Sequence, residues 1–160
     1  DGQTAFEPSF RHRCQLLSAI PRDTIRRIIS DAPLDPHILG FIHENRQDCF
    51  ILTGNLDIWI APIIEQIGCR TYASEAVYSN GTLELRTLLN KAQTMRHIQK
   101  VFGYRRMIAI GDGANDAAML SSATVAIAFG GVHPPAASAI RAADHVVTDG
   151  KALCELLRSV

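Results

Sequence analysis

Between residues 107 and 116 the sequence reads Met-Ile-Ala-Ile-Gly-Asp-Gly-Ala-Asn-Asp, an apolar run that stops at two glycines followed or separated by three polar side chains. Asp112 offers a hard carboxylate oxygen of the kind Mg²⁺ prefers, and Asn115 and Asp116 follow it closely. Met107, Ile108, Ala109 and Ile110 lack polar alternation, which predicts a buried strand in a parallel sheet covered on both faces. In open α/β sheets ligands sit beyond the carboxyl ends of strands, and glycines there let a ligand approach the backbone. A helix over 114–123 would place its N-terminus beside the same loop, a setting that suits a phosphate. A plain turn, with Asn115 or Asp116 serving only as a helix cap, uses the same residue types.

Two further stretches carry compatible groups. The apolar run 49–52 ends at Thr53-Gly54-Asn55, where a hydroxyl and a backbone N–H could hold phosphoryl oxygens. A helix over 90–102 carries Lys91 in its first turn, where a cation opposes the helix dipole and requires solvent or an anionic partner. Thr53, Gly54, Lys91, Asp112, Asn115 and Asp116 together describe a phosphoryl site, with Asp112 anchoring a Mg²⁺ that neutralises charge. Singly, Thr53 reads as a strand end and Lys91 as a surface lysine.

The elements that must position these groups alternate. Helices are expected over 6–19, 24–32 and after Asp35, where Asp35-Pro36 supplies a cap and a first-turn proline. From Cys49 onward strands and helices take turns: strand 49–52, a helix from Ile58 to Gly68, strand 70–73, an Asn80-Gly81 hairpin, helix 90–102, strand 107–110, helix 114–123, strand 125–129, helix 134–143, strand 145–147 and helix 151–157. Such alternation implies an α/β fold with a Rossmann-like parallel sheet and helices on both faces. The 160 residues carry a formal net charge of +0, so nothing argues for nucleic acid or membrane as the main partner. Cys14, Cys49, Cys69 and Cys154 show no Cys-x-x-Cys pairing and lie in or beside apolar runs, which predicts reduced thiols and a cytoplasmic protein.

With those residues in hand, the chain resembles the haloacid dehalogenase superfamily, and within it the phosphoserine phosphatase-like branch. Ile51-Leu52-Thr53-Gly54 is similar to that family's second motif, Lys91 to its third, and Gly111-Asp112-Gly113-Ala114-Asn115-Asp116 to its fourth. The resemblance implies a phosphomonoester hydrolase that uses Mg²⁺ and an aspartyl-phosphate on a small phosphorylated metabolite such as phosphoserine. It implies that Asp112 is a metal ligand, that Thr53 and Gly54 bind the phosphoryl group, and that Lys91 and Asp116 serve catalysis. Asn115 would lie near the substrate. Residues 6–13 look like the helical cap of this branch, in which Arg13 would hold a substrate carboxylate; a guanidinium suits that group bidentately. The division expected is a partial cap over 1–46 and a core lacking its first strand over 47–160.

Two departures qualify the resemblance. Asn55 stands where a second glycine is usual, and the family's first motif, Asp-x-Asp-x-Thr, has no match, since Asp1-Gly2-Gln3-Thr4 has the wrong spacing and a single aspartate. That motif supplies the nucleophile, so the expectation is a fragment that is inactive alone. Two other readings stand beside it: a degenerate domain that binds a phosphate ligand or a protein partner, and a piece of a P-type ATPase phosphorylation domain.

Overall fold

The computed structural model describes residues 6–79 and 82–160. The chain divides into two compact units, the first holding residues 1–34 and 42–89 and the second 35–41 and 90–160.

Three helices precede the first strand: α1 (Phe6–Leu17) and α2 (Arg22–Ser30) in the first unit, and α3 (Pro36–Glu44), most of which falls among the second unit's residues. The side chain of Asp35 accepts hydrogen bonds from the amides of His37 and Ile38, so the expected cap forms. Strand β1 (Phe50–Leu56) leads into α4 (Asp57–Ile67), which Gly68 ends in the left-handed region at φ 70°. Two features differ from the sequence reading. The strand does not stop at Leu52; it runs through Thr53, Gly54 and Asn55 with a break in register, because the Asn55 amide donates to Thr53 Oγ1 at 3.1 Å rather than to the neighbouring strand. Residues 70–73 and 77–79 also belong to one strand, β2 (Arg70–Ser79), which is parallel to β1 up to Ser74 and then antiparallel to β3 (Thr82–Thr87). The expected Asn80-Gly81 turn lies outside the described residues.

The core of this unit gathers Phe10 and Cys14 from α1, Ile25 from α2, Leu56, Trp59 from α4 and Ala76 from β2. Leu56 is completely buried, and burying a leucine contributes about 1.5–3 kcal/mol.

The second unit builds the glycine loop. Helix α5 (Lys91–Phe102) is capped by Asn90, whose side chain accepts from the Gln93 amide, and it turns inward Ala92, Met95 and Ile98. Strands β4 (Ile108–Gly111), β5 (Val125–Phe129) and β6 (His145–Val147) pair in parallel in that order. The α/β class with parallel pairing is therefore the one expected, with the six described strands forming two three-stranded sheets. Ile110 is 38% exposed, so β4 is not covered on both faces as its apolar sequence suggested. The helix predicted over 114–123 is instead a 3₁₀ turn (Ala114–Asp116) followed by α6 (Ala117–Leu120), since the Asp116 side chain is taken by the loop before it. Helix α7 (Ala137–Arg141) starts later than predicted, after Pro134 and Pro135, and α8 (Gly150–Ser159) closes the chain behind an Asp149 cap. No helix of the described residues is long and apolar enough to cross a membrane.

Candidate functional site

The loop after β4 is held by one buried carboxylate. Asp116 is 1% exposed, and its Oδ2 accepts from the backbone amides of Asp112 at 3.0 Å and Gly113 at 2.9 Å. Its Oδ1 receives the Lys91 ammonium at 2.5 Å, so the anionic partner that a first-turn lysine requires is Asp116. A buried ion is tolerable only when paired and hydrogen-bonded, and here all three bonds converge on it. The loop glycines follow from the same packing. A Cβ on Gly111 would lie 2.6 Å from Asp116 Cβ and 2.7 Å from its Oδ2, and one on Gly113 would strike the Asn115 side chain. Gly111 is required by this close approach, since the described glycines at positive φ are Gly68 and Gly103.

With Asp116 and Lys91 committed to each other, Asp112 is left at the rim. Its carboxylate is 49% exposed and lies 3.2 Å from His133 Nε2. Its backbone carbonyl accepts from the Ala136 amide at 2.8 Å, which ties the loop after β5 to the loop after β4. Between them lies an open depression of about 370 Å³ lined by Ile110, Gly111, Asp112, Phe129, Gly131, Val132 and His133. His133 and this second loop were not singled out from sequence. The signal was Gly130-Gly131-Val132-His133-Pro134-Pro135, punctuation directly beyond the end of a parallel strand, where ligands are expected.

The remaining candidates fall as follows. Asn115 is exposed on the 3₁₀ turn, with its side chain folded toward Gly113. Thr53 and Gly54 lie in the register break of β1 in the first unit, half-buried, with the Thr53 hydroxyl oxygen engaged by the Asn55 amide. Arg13 is exposed on α1 in the first unit, its guanidinium carbon 5.6 Å from the Phe10 ring centroid. Thus Lys91, Asp112, Asn115 and Asp116 share the second unit, while Thr53, Gly54 and Arg13 share the first.

As a metal centre, Asp112 has suitable chemistry, a hard and accessible oxygen. Among the described residues, however, no three His, Cys, Asp or Glu side chains converge to hold an ion. Mg²⁺ prefers six oxygens in near-octahedral geometry, and one carboxylate does not complete such a set.

The fold has counterparts among known proteins. The chain is 27% identical over 141 residues to the phosphoserine phosphatase of Methanocaldococcus jannaschii, covering 81% of this chain and 67% of that protein. It is 23% identical over 140 residues to the phosphoserine phosphatase of Archaeoglobus fulgidus, covering 80% of this chain but only 41% of that protein. A solved phosphoserine phosphatase in its apo form superposes with a TM-score of 0.77 at 24% identity, over 97% of this chain and 81% of that one; at this identity the likeness speaks for the fold. The model of the haloacid dehalogenase-like hydrolases matches residues 3–121, from α1 through the Lys91–Asp116 pair and the glycine loop. With most of its length and its buried Lys–Asp loop inside that match, the chain belongs to the haloacid dehalogenase-like hydrolase family.

Proposed function

We propose that the protein is a Mg²⁺-dependent phosphomonoester hydrolase acting on a small phosphorylated metabolite such as phosphoserine, through an aspartyl-phosphate. The observation that carries this reading is the Lys91–Asp116 pair with its two loop amides, which leaves the Asp112 carboxylate accessible beside a depression at the ends of β4 and β5. The similarity to two phosphatases named for phosphoserine supports the substrate class.

In this reading residues 1–46 serve as a partial cap and 47–160 as the core. Lys91 brings positive charge to the phosphoryl group while Asp116 holds that ammonium and the loop in place. The Thr53 hydroxyl and Gly54 amide contact phosphoryl oxygens, Asn115 touches the substrate, and Arg13 receives a substrate carboxylate. Mg²⁺, with Asp112 as one ligand, supplies charge neutralisation when bound. The attacking carboxylate is a separate requirement, and no two aspartates of the 160 residues stand in Asp-x-Asp spacing. These residues alone are therefore proposed to bind a phosphoryl anion without hydrolysing it. The same absence favours a second reading, a non-catalytic domain that retains phosphate binding.

Phosphate release from phosphoserine separates the two. The 160-residue chain is expected to be inactive, whereas the chain supplied with an Asp-x-Asp-x-Thr strand is expected to turn over with Mg²⁺ and to lose turnover on Lys91→Ala. An extended chain that binds phosphate but never hydrolyses it would favour the non-catalytic domain. Hydrolysis by the unextended chain that depended on Asp112 would show the nucleophile to be misassigned.

A further inference from the structure

The first unit holds two thiols that the proposed chemistry leaves unused. Strands β1 and β2 run in parallel with Phe50 opposite Arg70 and Ile51 opposite Thr71, so one step back in the same register brings Cys49 beside Cys69. Neighbouring strands are about 4.7–4.9 Å apart, within the roughly 4.4–6.8 Å between Cα atoms that a disulfide spans. Both cysteines immediately precede their strands, the Cys49 amide donating to the Asn45 carbonyl at 3.1 Å and Cys69 following the Gly68 cap of α4. Both are half-buried, whereas Cys14 and Cys154 are buried. The Cys69 thiol donates weakly to the Arg70 carbonyl at 3.9 Å, and burial raises its pKa, with the backbone of Cys69 and Ile51 opposing that rise in part. Burial, followed by the nearby Cys69 and Asp48, pushes the Cys49 thiol up to about 11.

We propose that Cys49 and Cys69 form a dithiol site that closes to an intramolecular disulfide when it meets a small-molecule disulfide such as glutathione disulfide. Cys69 loses its proton and attacks one glutathione sulfur. The glutathione S–S bond breaks, one glutathione thiolate leaves, and a mixed disulfide forms. Cys49 then loses its proton and attacks the Cys69 sulfur, expelling the second glutathione thiolate, and the two released protons restore both glutathione thiols. The protein gives up two electrons, which the glutathione disulfide accepts. Because only the thiolate attacks, closure quickens as pH rises.

The folded chain is incubated with glutathione disulfide, quenched in acid, unfolded and alkylated, then mapped by mass spectrometry. The expected result is a fall in alkylated thiols from four to two, with a Cys49–Cys69 cross-linked peptide and a mass loss of about 2 Da before alkylation. Cys14→Ser should still close the bridge and Cys69→Ser should not. Four alkylated thiols in the wild-type chain, a lasting glutathione adduct on Cys69 without closure, or a bridge to Cys14 or Cys154 would each overturn the proposal. The wild-type measurement decides alone, so it does not depend on how well the variants fold.

Discussion

Replacing Lys91 with methionine keeps the length of the stem but removes the ammonium from a carboxylate whose side chain is only 2% exposed. Lys91 itself is 17% exposed, so neither partner can recover full hydration where it stands. Breaking a pair of this kind by deleting one member typically costs about 3–5 kcal/mol, because the other charge stays buried. Here Asp116 keeps the two amide bonds from Asp112 and Gly113, which places the expected loss near the lower end, about 3 kcal/mol. With an m-value of about 2 kcal/mol per molar urea, the midpoint should fall by roughly 1.5 M. The single tryptophan, Trp59, lies in the first unit. Far-UV circular dichroism and hydrogen exchange of the Asp112 and Gly113 amides are the suitable readouts. Adding Asp116→Asn should recover part of the loss, since the buried charge disappears with its partner. A destabilisation below about 1 kcal/mol, the range of solvent-exposed pairs, would refute this account, as would strictly additive losses in the double variant.

Gly111→Ala should destabilise by roughly 1–3 kcal/mol through overpacking, since its Cβ would meet Asp116 at 2.6 Å; a neutral result in chemical denaturation would mean that the carboxylate can move aside. Leu56→Ala, at a fully buried position in the first core, should cost about 2–5 kcal/mol and be visible in Trp59 fluorescence. Cys49 has its thiol raised from 9.0 to about 11 in the folded chain, so the folded state keeps a proton that the unfolded state sheds. Its contribution to stability is complete below pH 9.0 and fades as pH rises toward about 11. Half-burial and solvent screening limit that loss to about 1 kcal/mol. Urea midpoints should therefore decline less steeply over that window in Cys49→Ser, and identical slopes would contradict the assignment. In a chain supplied with the first motif, Arg13→Ala should lower phosphoserine turnover roughly ten- to hundredfold more than turnover of a neutral aryl phosphate, and equal losses would exclude a carboxylate clamp.

The apolar run before Gly111, the Asp35 cap and the glycine stop at Gly68 were legible in the sequence because each acts locally, through periodicity or through side chains a few residues from the amides they bind. The same is true of the α/β alternation and of the polar residues in the glycine loop. Lys91 already declared a missing partner by standing at a helix N-terminus, but the identity of Asp116, 25 residues away, depends on how α5 packs beside the 3₁₀ turn. Strand β2 read as two pieces because its central residues Ser74 and Glu75 look like a break, yet they are where one strand changes partner from β1 to β3. His133 gave no signal alone, since an exposed histidine near prolines is ordinary until the Ala136 amide joins its loop to Asp112. Cys49 and Cys69 are separated along the chain by an entire helix, and no spacing rule pairs them. Only the parallel register of β1 and β2 brings them side by side, because strand pairing is decided by contacts distant in sequence.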